Sequence, residues 1–243
     1  MNLAQLKSKG LIGSLNAKPV SDAAFPYGLG TQGLHEVVEE AYGDRAASTG
    51  FVLTATKHTC SGALLYISQT STRRNLGHLS EAALQEMTCG HISRMSLVTR
   101  NARDALWAVE EAVASGAVTH VIAEVDAADF TSTRRLTLAS ARHGVPITLL
   151  LPYGSEDATA AATRWRLASR PSSPNSYDAR ALGRARWSAN LERCRIAPSA
   201  AGQTFDIEWN DETLSLRLVS RMVSGPLAPS TSNGGNFQPR RTG

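Results

Sequence analysis

The chain has 243 residues, 42% hydrophobic and 19% charged, with a formal net charge of +4, enough apolar content for one substantial core with loose ends. Its longest apolar runs, such as ITLLL at 147–151, fall far short of the roughly 18 residues that cross a bilayer, and the start MNLAQLKSKG lacks the apolar centre of a secretion signal, so a soluble cytoplasmic protein is expected. Cys60, Cys89 and Cys194 form no CxxC pair, which sets aside a disulfide framework or zinc site and leaves buried or idle thiols.

In chain order, residues 1–30 are rich in Pro, Gly and Ser, with little to bury, and are expected to be mobile. A strand is expected over 34–38, a helix over about 44–57, a strand over 63–67, a helix over about 79–87 and a strand over 92–98. NARDALWAVEEAVASG then places Asn101 three residues before Asp104, repeats apolar residues at Ala102, Ala105, Leu106, Val109 and Val113, and stops at Gly116, which is a capped amphipathic helix. The run VTHVIAEV (118–125) follows as a strand, TSTRRLTLASARHG as a helix ending at Gly144, and VPITLLL as a further strand.

Short apolar strands without polar alternation, separated by capped helices, indicate a parallel sheet covered on both faces. After about residue 163 the pattern changes. TRWRLAS, RWSANLERC, QTFDIEW and TLSLRLV are short runs divided by turn residues, and Phe205, Ile207 and Trp209 alternate with polar residues, as in an antiparallel meander added to the sheet. Trp107 and Trp209 are expected in the core. Residues 221–243 contain Arg221, Arg240 and Arg241 and no acid, with Leu227 and Phe237 as sizeable apolar groups. Such a tail does not fold alone but can order on a partner, with Leu227, Phe237, Arg240 and Arg241 as the contacting residues.

The charge is unevenly placed. Residues 164–195 hold eight arginines against Asp178 and Glu192; an ordinary solvated surface accounts for them, and contact with nucleic acid or an acidic partner is the alternative.

Two motifs are approached and missed. The run HEVVE at 35–39 is close to HExxH, but on a strand His35 and Glu39 share a face while Glu36 points away, and no third ligand follows, so a strand-end histidine with two solvated acids is expected. The layout from Leu34 to Phe51 is that of a phosphate-binding loop, strand to glycines to helix, but EEAYGDRAASTG offers Gly43, Asp44 and Gly50 and no Gly-Lys pair. Glu39, Glu40 and Asp44, offset only by Arg45, repel phosphate there. Glu124 and Asp126 flank the place of a magnesium-binding acid without either sitting cleanly in it, and Gln69 and Thr70 stand where a catalytic acid is required. No Gly-x-Ser-x-Gly elbow holds a nucleophile.

Taken together, GLHEVVEEAYGDRAASTGF, DALWAVEEAVASGAVTHVIAEV, TSTRRLTLASARHGVPITLLL and TRWRLAS with RWSANLERCRIAPSAAGQTFDIEWN resemble the inducible-mutagenesis family ImuA over about residues 30–220. SGAVTHVIAEVDAAD is similar to the Walker B strand of RecA with its acid displaced. The resemblance implies a RecA-like α/β domain over 31–220, a mostly parallel sheet flanked by helices with a C-terminal antiparallel meander. It also implies a non-catalytic adaptor in damage-induced translesion synthesis, with no cofactor, metal or catalytic residue. The implied partners are an ImuB-like Y-family polymerase homologue, an error-prone alpha-type polymerase and RecA, with DNA contact indirect. A division inhibitor of the SulA kind also uses a RecA-like domain, but it is shorter, and the meander to Val219 argues against it. A RecA-like DNA-binding protein would rest on the arginine block.

Overall fold

The computed structural model describes residues 25–56, 62–87, 93–175, 177–178, 180–210 and 215–219. β1 (Leu34–Glu39) is buried along its whole length, because neighbouring side chains serve two cores: Val37 enters one apolar cluster and Val38 the other. That is why the strand shows no polar alternation. α1 (Arg45–Thr56), β2 (Ala63–Gln69), α2 (Thr70–Leu76), α3 (Glu81–Met87), β3 (Ser93–Thr99), α4 (Ala102–Ser115), β4 (His120–Glu124), α5 (Phe130–His143) and β5 (Ile147–Leu151) follow. β6 (Thr163–Arg170), β7 (Arg186–Cys194), β8 (Thr204–Asn210) and β9 (Ser215–Leu218) complete the chain.

The strands form one sheet in the order β3-β2-β4-β5-β1-β6-β7-β8-β9. β3, β2, β4, β5, β1 and β6 are mutually parallel, and β6 to β9 pair antiparallel. β6 therefore belongs to both parts, parallel to β1 on one side and antiparallel to β7 on the other. This is the α/β architecture expected from the sequence.

α4 begins where Asn101 Oδ1 accepts from the Asp104 N–H at 2.9 Å and ends at Gly116 with φ 69°. α5 starts earlier than its Thr/Ser run: Asp129 is the cap, accepting from the Ser132 N–H at 2.7 Å. α2 was not expected; TSTRRNL carries no apolar stripe and its N-cap, Gln69, makes no side-chain cap bond. It is set by its attachment to the end of β2.

α4 and α5 cover one face of the sheet, with Val109, Val113 and Leu136 fully buried. The opposite face carries α1 and an aromatic cluster in which Phe25, Phe51, Trp165 and Phe205 pack with ring centroids 5.2–6.1 Å apart. The segment expected to be mobile to residue 30 is packed from Phe25 onward, with Tyr27 and Leu29 buried. Trp209 packs partly buried on this core. Trp107 does not: it is 60% exposed, a correction to the core position expected from its helical spacing, since its neighbours Ala105 and Val109 take the inner face. Cys194 is buried, and Cys60 and Cys89 lie outside the described residues. Among the described residues no helix is long and apolar enough to cross a membrane.

Candidate functional site

The turn from β1 into α1 stands at the carboxyl ends of the parallel strands, where open α/β sheets place ligands. Gly43 has φ 103°, a backbone conformation that favours glycine. Asp44 spends both carboxylate oxygens on backbone: Oδ2 accepts from the Ala41 N–H at 3.1 Å and Oδ1 from the Ser169 N–H at 2.9 Å, tying the turn to β6. Gly50 lies inside α1, against Trp187. The three loop residues singled out from sequence thus divide into a turn glycine, a loop anchor and a packing glycine.

Arg45, the first residue of α1, turns inward. Its Nε pairs with Glu39 at the end of β1, and its Nη1 lies 4.0 Å from Glu124 Oε1 at the end of β4. Both carboxylates are nearly buried. Burial pushes each carboxyl up from its ordinary range, against the opposing pull of Arg45 on both. Glu124 is therefore an inward strand-end carboxylate after all, correcting its displaced reading from sequence: it shares its face of β4 with Ile122, which lies in the core on the α1 side. Its partner is an internal arginine.

Arg45 and Glu124 form one end of a cavity of 510 Å³ between α1, α2, α3 and β3. Thr49, Tyr66 and Ser68 supply hydroxyls to its wall, and Leu64, Leu84 and Trp187 are among its apolar lining. The Tyr66 hydroxyl lies beside Glu124 and Thr49, and burial with the adjacent Glu124 charge pushes it well above the ordinary tyrosine range. A cavity of this size and polarity can take a small, largely apolar molecule. The strand-end position on β2 is filled by a neutral amide, and Gln69 Oε1 accepts from the Asp126 N–H at 2.6 Å while Asp126 accepts from Ser71 at 3.1 Å. Gln69 and Asp126 thus clamp the two strand ends together. Among the described residues no group of three or more His, Cys, Asp or Glu side chains could hold a metal ion.

The HEVVE acids are not solvated as expected: Glu36 and Glu39 are both buried. Glu36 accepts from Thr159 at 2.5 Å and faces Arg164 at 3.6 Å. On the other face His35 Nδ1 meets the Thr163 hydroxyl and Nε2 donates to the Gln32 carbonyl, each at 2.7 Å, and burial lowers its pKa to about 4. The sequence showed charge but not that the flanking strands, β5 and β6, would close over it.

Six of the eight arginines of the block are similarly committed, while Arg170 and Arg180 are exposed. Arg164 donates to the Asp157 carbonyl at 2.7 Å, Arg166 pairs with Glu192, and Arg193 and Arg195 donate to the Thr159 and Ala160 carbonyls at 2.5 and 3.0 Å. Arg184 and Arg186 face Glu208 at 3.8 and 3.9 Å. Arg166, Arg193 and Arg195 tie β7 and its end to β6 and the segment ahead of it, and Arg184 and Arg186 brace the start of β7 against β8. Leu227, Phe237, Arg240 and Arg241 lie outside the described residues.

No protein-family model matches the chain. It is 29% identical over 194 residues to Protein ImuA of Caulobacter vibrioides, in strain NA1000/CB15N and again in strain ATCC 19089/CIP 103742/CB 15, an alignment covering 73% of this chain and 77% of the relative. The chain is similar to ImuA over about three quarters of its length. In this ImuA-like chain Arg45 faces two strand-end acids from within, and Asp44 holds the turn to β6.

Proposed function

We propose that the chain is a non-catalytic adaptor of a damage-inducible translesion-synthesis complex in the cytoplasm, acting through a RecA-like domain. The homology to ImuA supports a role in the inducible mutagenesis system. The observation that carries the adaptor reading is the Glu39–Arg45–Glu124 network: the first cation of α1 is spent on the protein's own carboxylates, so phosphate entering the turn would have to break a buried ion pair.

The partner is an ImuB-like Y-family polymerase homologue, joined by an error-prone alpha-type polymerase and by RecA. The tail contributes a contact through Leu227 and Phe237 flanked by Arg240 and Arg241, a composition suited to ordering on a partner. Titration of purified full-length chain with the ImuB-like protein tests this reading: saturable binding is expected, and a chain cut after Val223 binds more weakly with its thermal transition nearly unchanged, part of the loss being reproduced by Phe237→Ala. Full affinity in the cut chain removes the tail from the interface, and absence of any binding by the full chain overturns the adaptor reading.

A further inference from the structure

The 510 Å³ cavity between α1, α2, α3 and β3 has no part in the adaptor reading, yet its walls are made of two unlike ends. Leu53, Leu64, Leu84, Met87 and Trp187 give it a broad apolar lining. Leu76 on α2 and Met95 on β3 belong to the same lining and are 45% and 43% exposed, so they mark its opening. The far end is polar. There the hydroxyls of Thr49 on α1 and Tyr66 on β2 lie together, that of Tyr66 also beside Glu124. Both residues are only 7% exposed, and neither hydroxyl makes a hydrogen bond of good geometry among the described residues. A hydroxyl taken out of water without a partner is costly, and two of them share this one wall.

The charges around the cavity select against an ion. Three arginines stand against three carboxylates: Arg45 pairs with Glu39 and faces Glu124, Arg94 pairs with Glu81 at 2.6 Å, and Arg73 offsets the Glu124 charge. An anion or a cation entering the polar end would displace one member of a nearly buried set and leave its partner uncompensated. A neutral molecule leaves the set intact. Its polar group is set by the wall: the Glu124 carboxylate accepts only, whereas each hydroxyl both donates and accepts, so a hydroxyl on the ligand can donate to Glu124 or Tyr66 and accept from Thr49 through a single atom.

We propose that this cavity is a binding site for an uncharged, mainly apolar small molecule carrying a hydroxyl head, with Thr49, Tyr66 and Glu124 holding the head and Leu84, Met87 and Trp187 the apolar body. A volume of this size suits one such molecule. The site is separate from any partner-binding surface and stands whether or not the adaptor reading does.

The test uses the full chain and three probes of one shape: para-phenylphenol, biphenyl and biphenyl para-carboxylate, each titrated by calorimetry. The phenol is expected to bind saturably, biphenyl about tenfold more weakly for want of the hydroxyl, and the carboxylate not measurably. Tyr66→Phe removes one hydroxyl and keeps the ring. It is expected to weaken the phenol about tenfold and to leave biphenyl unchanged, a split that a merely loosened fold would not produce. Met87→Trp, at a partly buried position, fills the apolar end and is expected to abolish binding of both while keeping the wild-type thermal transition. The proposal is overturned if the phenol does not bind, if the carboxylate binds as tightly as the phenol, if Tyr66→Phe affects both probes equally or neither, or if folded Met87→Trp binds undiminished.

Discussion

Gly50 of α1 lies directly against the indole of Trp187 on β7: a Cβ at position 50 would stand 2.9 Å from Trp187 Cζ2 and 3.1 Å from Cη2. Glycine inside a helix costs about 1 kcal/mol relative to alanine, so its presence here reflects the room the ring needs. The contact joins the helix behind the candidate site to the antiparallel half of the sheet.

Gly50→Ala is therefore expected to destabilise the protein in spite of its gain in helix propensity, by about 1–3 kcal/mol from overpacking. Denaturant unfolding measures it. In the background of Trp187→Leu, which removes the ring, the same substitution is expected to be neutral or stabilising, and an equal penalty in both backgrounds would refute the contact as its cause.

Arg45→Met leaves Glu39 and Glu124 buried without their shared cation, and about 3–5 kcal/mol of stability is expected to be lost near neutral pH. The sign with pH follows from the raised carboxyl pKa values. A carboxyl whose folded pKa lies above its unfolded value contributes stability that is fully present below the unfolded value, near 4.5, and is lost as pH rises through the folded one. Without Arg45 both folded values rise further, so the deficit of Arg45→Met should widen from pH 5 to pH 8 in thermal melts. Adding Glu124→Gln should recover part of it at pH 8, and a pH-independent deficit would count against the network.

His120, at the start of β4, is fully buried, and neither ring nitrogen has a hydrogen-bond partner among the described residues; burial lowers its pKa to about 3. The Thr148 hydroxyl on neighbouring β5 also has no partner among the described residues. An unsatisfied buried polar group costs about 1–3 kcal/mol, and His120→Leu is expected to recover a comparable amount at pH 7. For a histidine with a depressed folded pKa, the stability is present above the unfolded value of 6.5 and is lost as pH falls through the folded one. The wild type should thus lose stability to acid faster than His120→Leu between pH 6.5 and pH 3, by up to about 1.4 kcal/mol per pH unit. Parallel acid titrations of the two proteins would show it.

ATP with Mg²⁺ is expected to give no heat of binding in calorimetry. Arg45 is committed to two carboxylates, and Asp44 holds the turn to β6 through the Ser169 N–H. A micromolar affinity abolished by substitution of Gly43 or Asp44 would contradict this.

The sequence by itself determined what is local. Caps such as Asn101 and the helix-ending Gly116 and Gly144, together with uninterrupted apolar strands, are legible because helix ends and two-sided burial constrain residue type at fixed spacing. The alternation of Phe205, Ile207 and Trp209 marked the meander for the same reason. The missing lysine of the β1–α1 turn was visible as a letter. What could not be read was where charge would lie once strands distant in sequence became neighbours. Glu36 acquires Thr159 and Arg164, Glu124 acquires Arg45, and six of the eight arginines of 164–195 acquire carbonyls and carboxylates of neighbouring segments, so acids that look solvated are buried and most of a basic block becomes structural cement. Trp107 shows the converse. Helical spacing places an aromatic residue on a face, but only packing decided which face of α4 met the sheet, and it was the one carrying Ala105, Val109 and Val113, because the small and β-branched residues allow the helix to lie close to β4 and leave the indole to solvent.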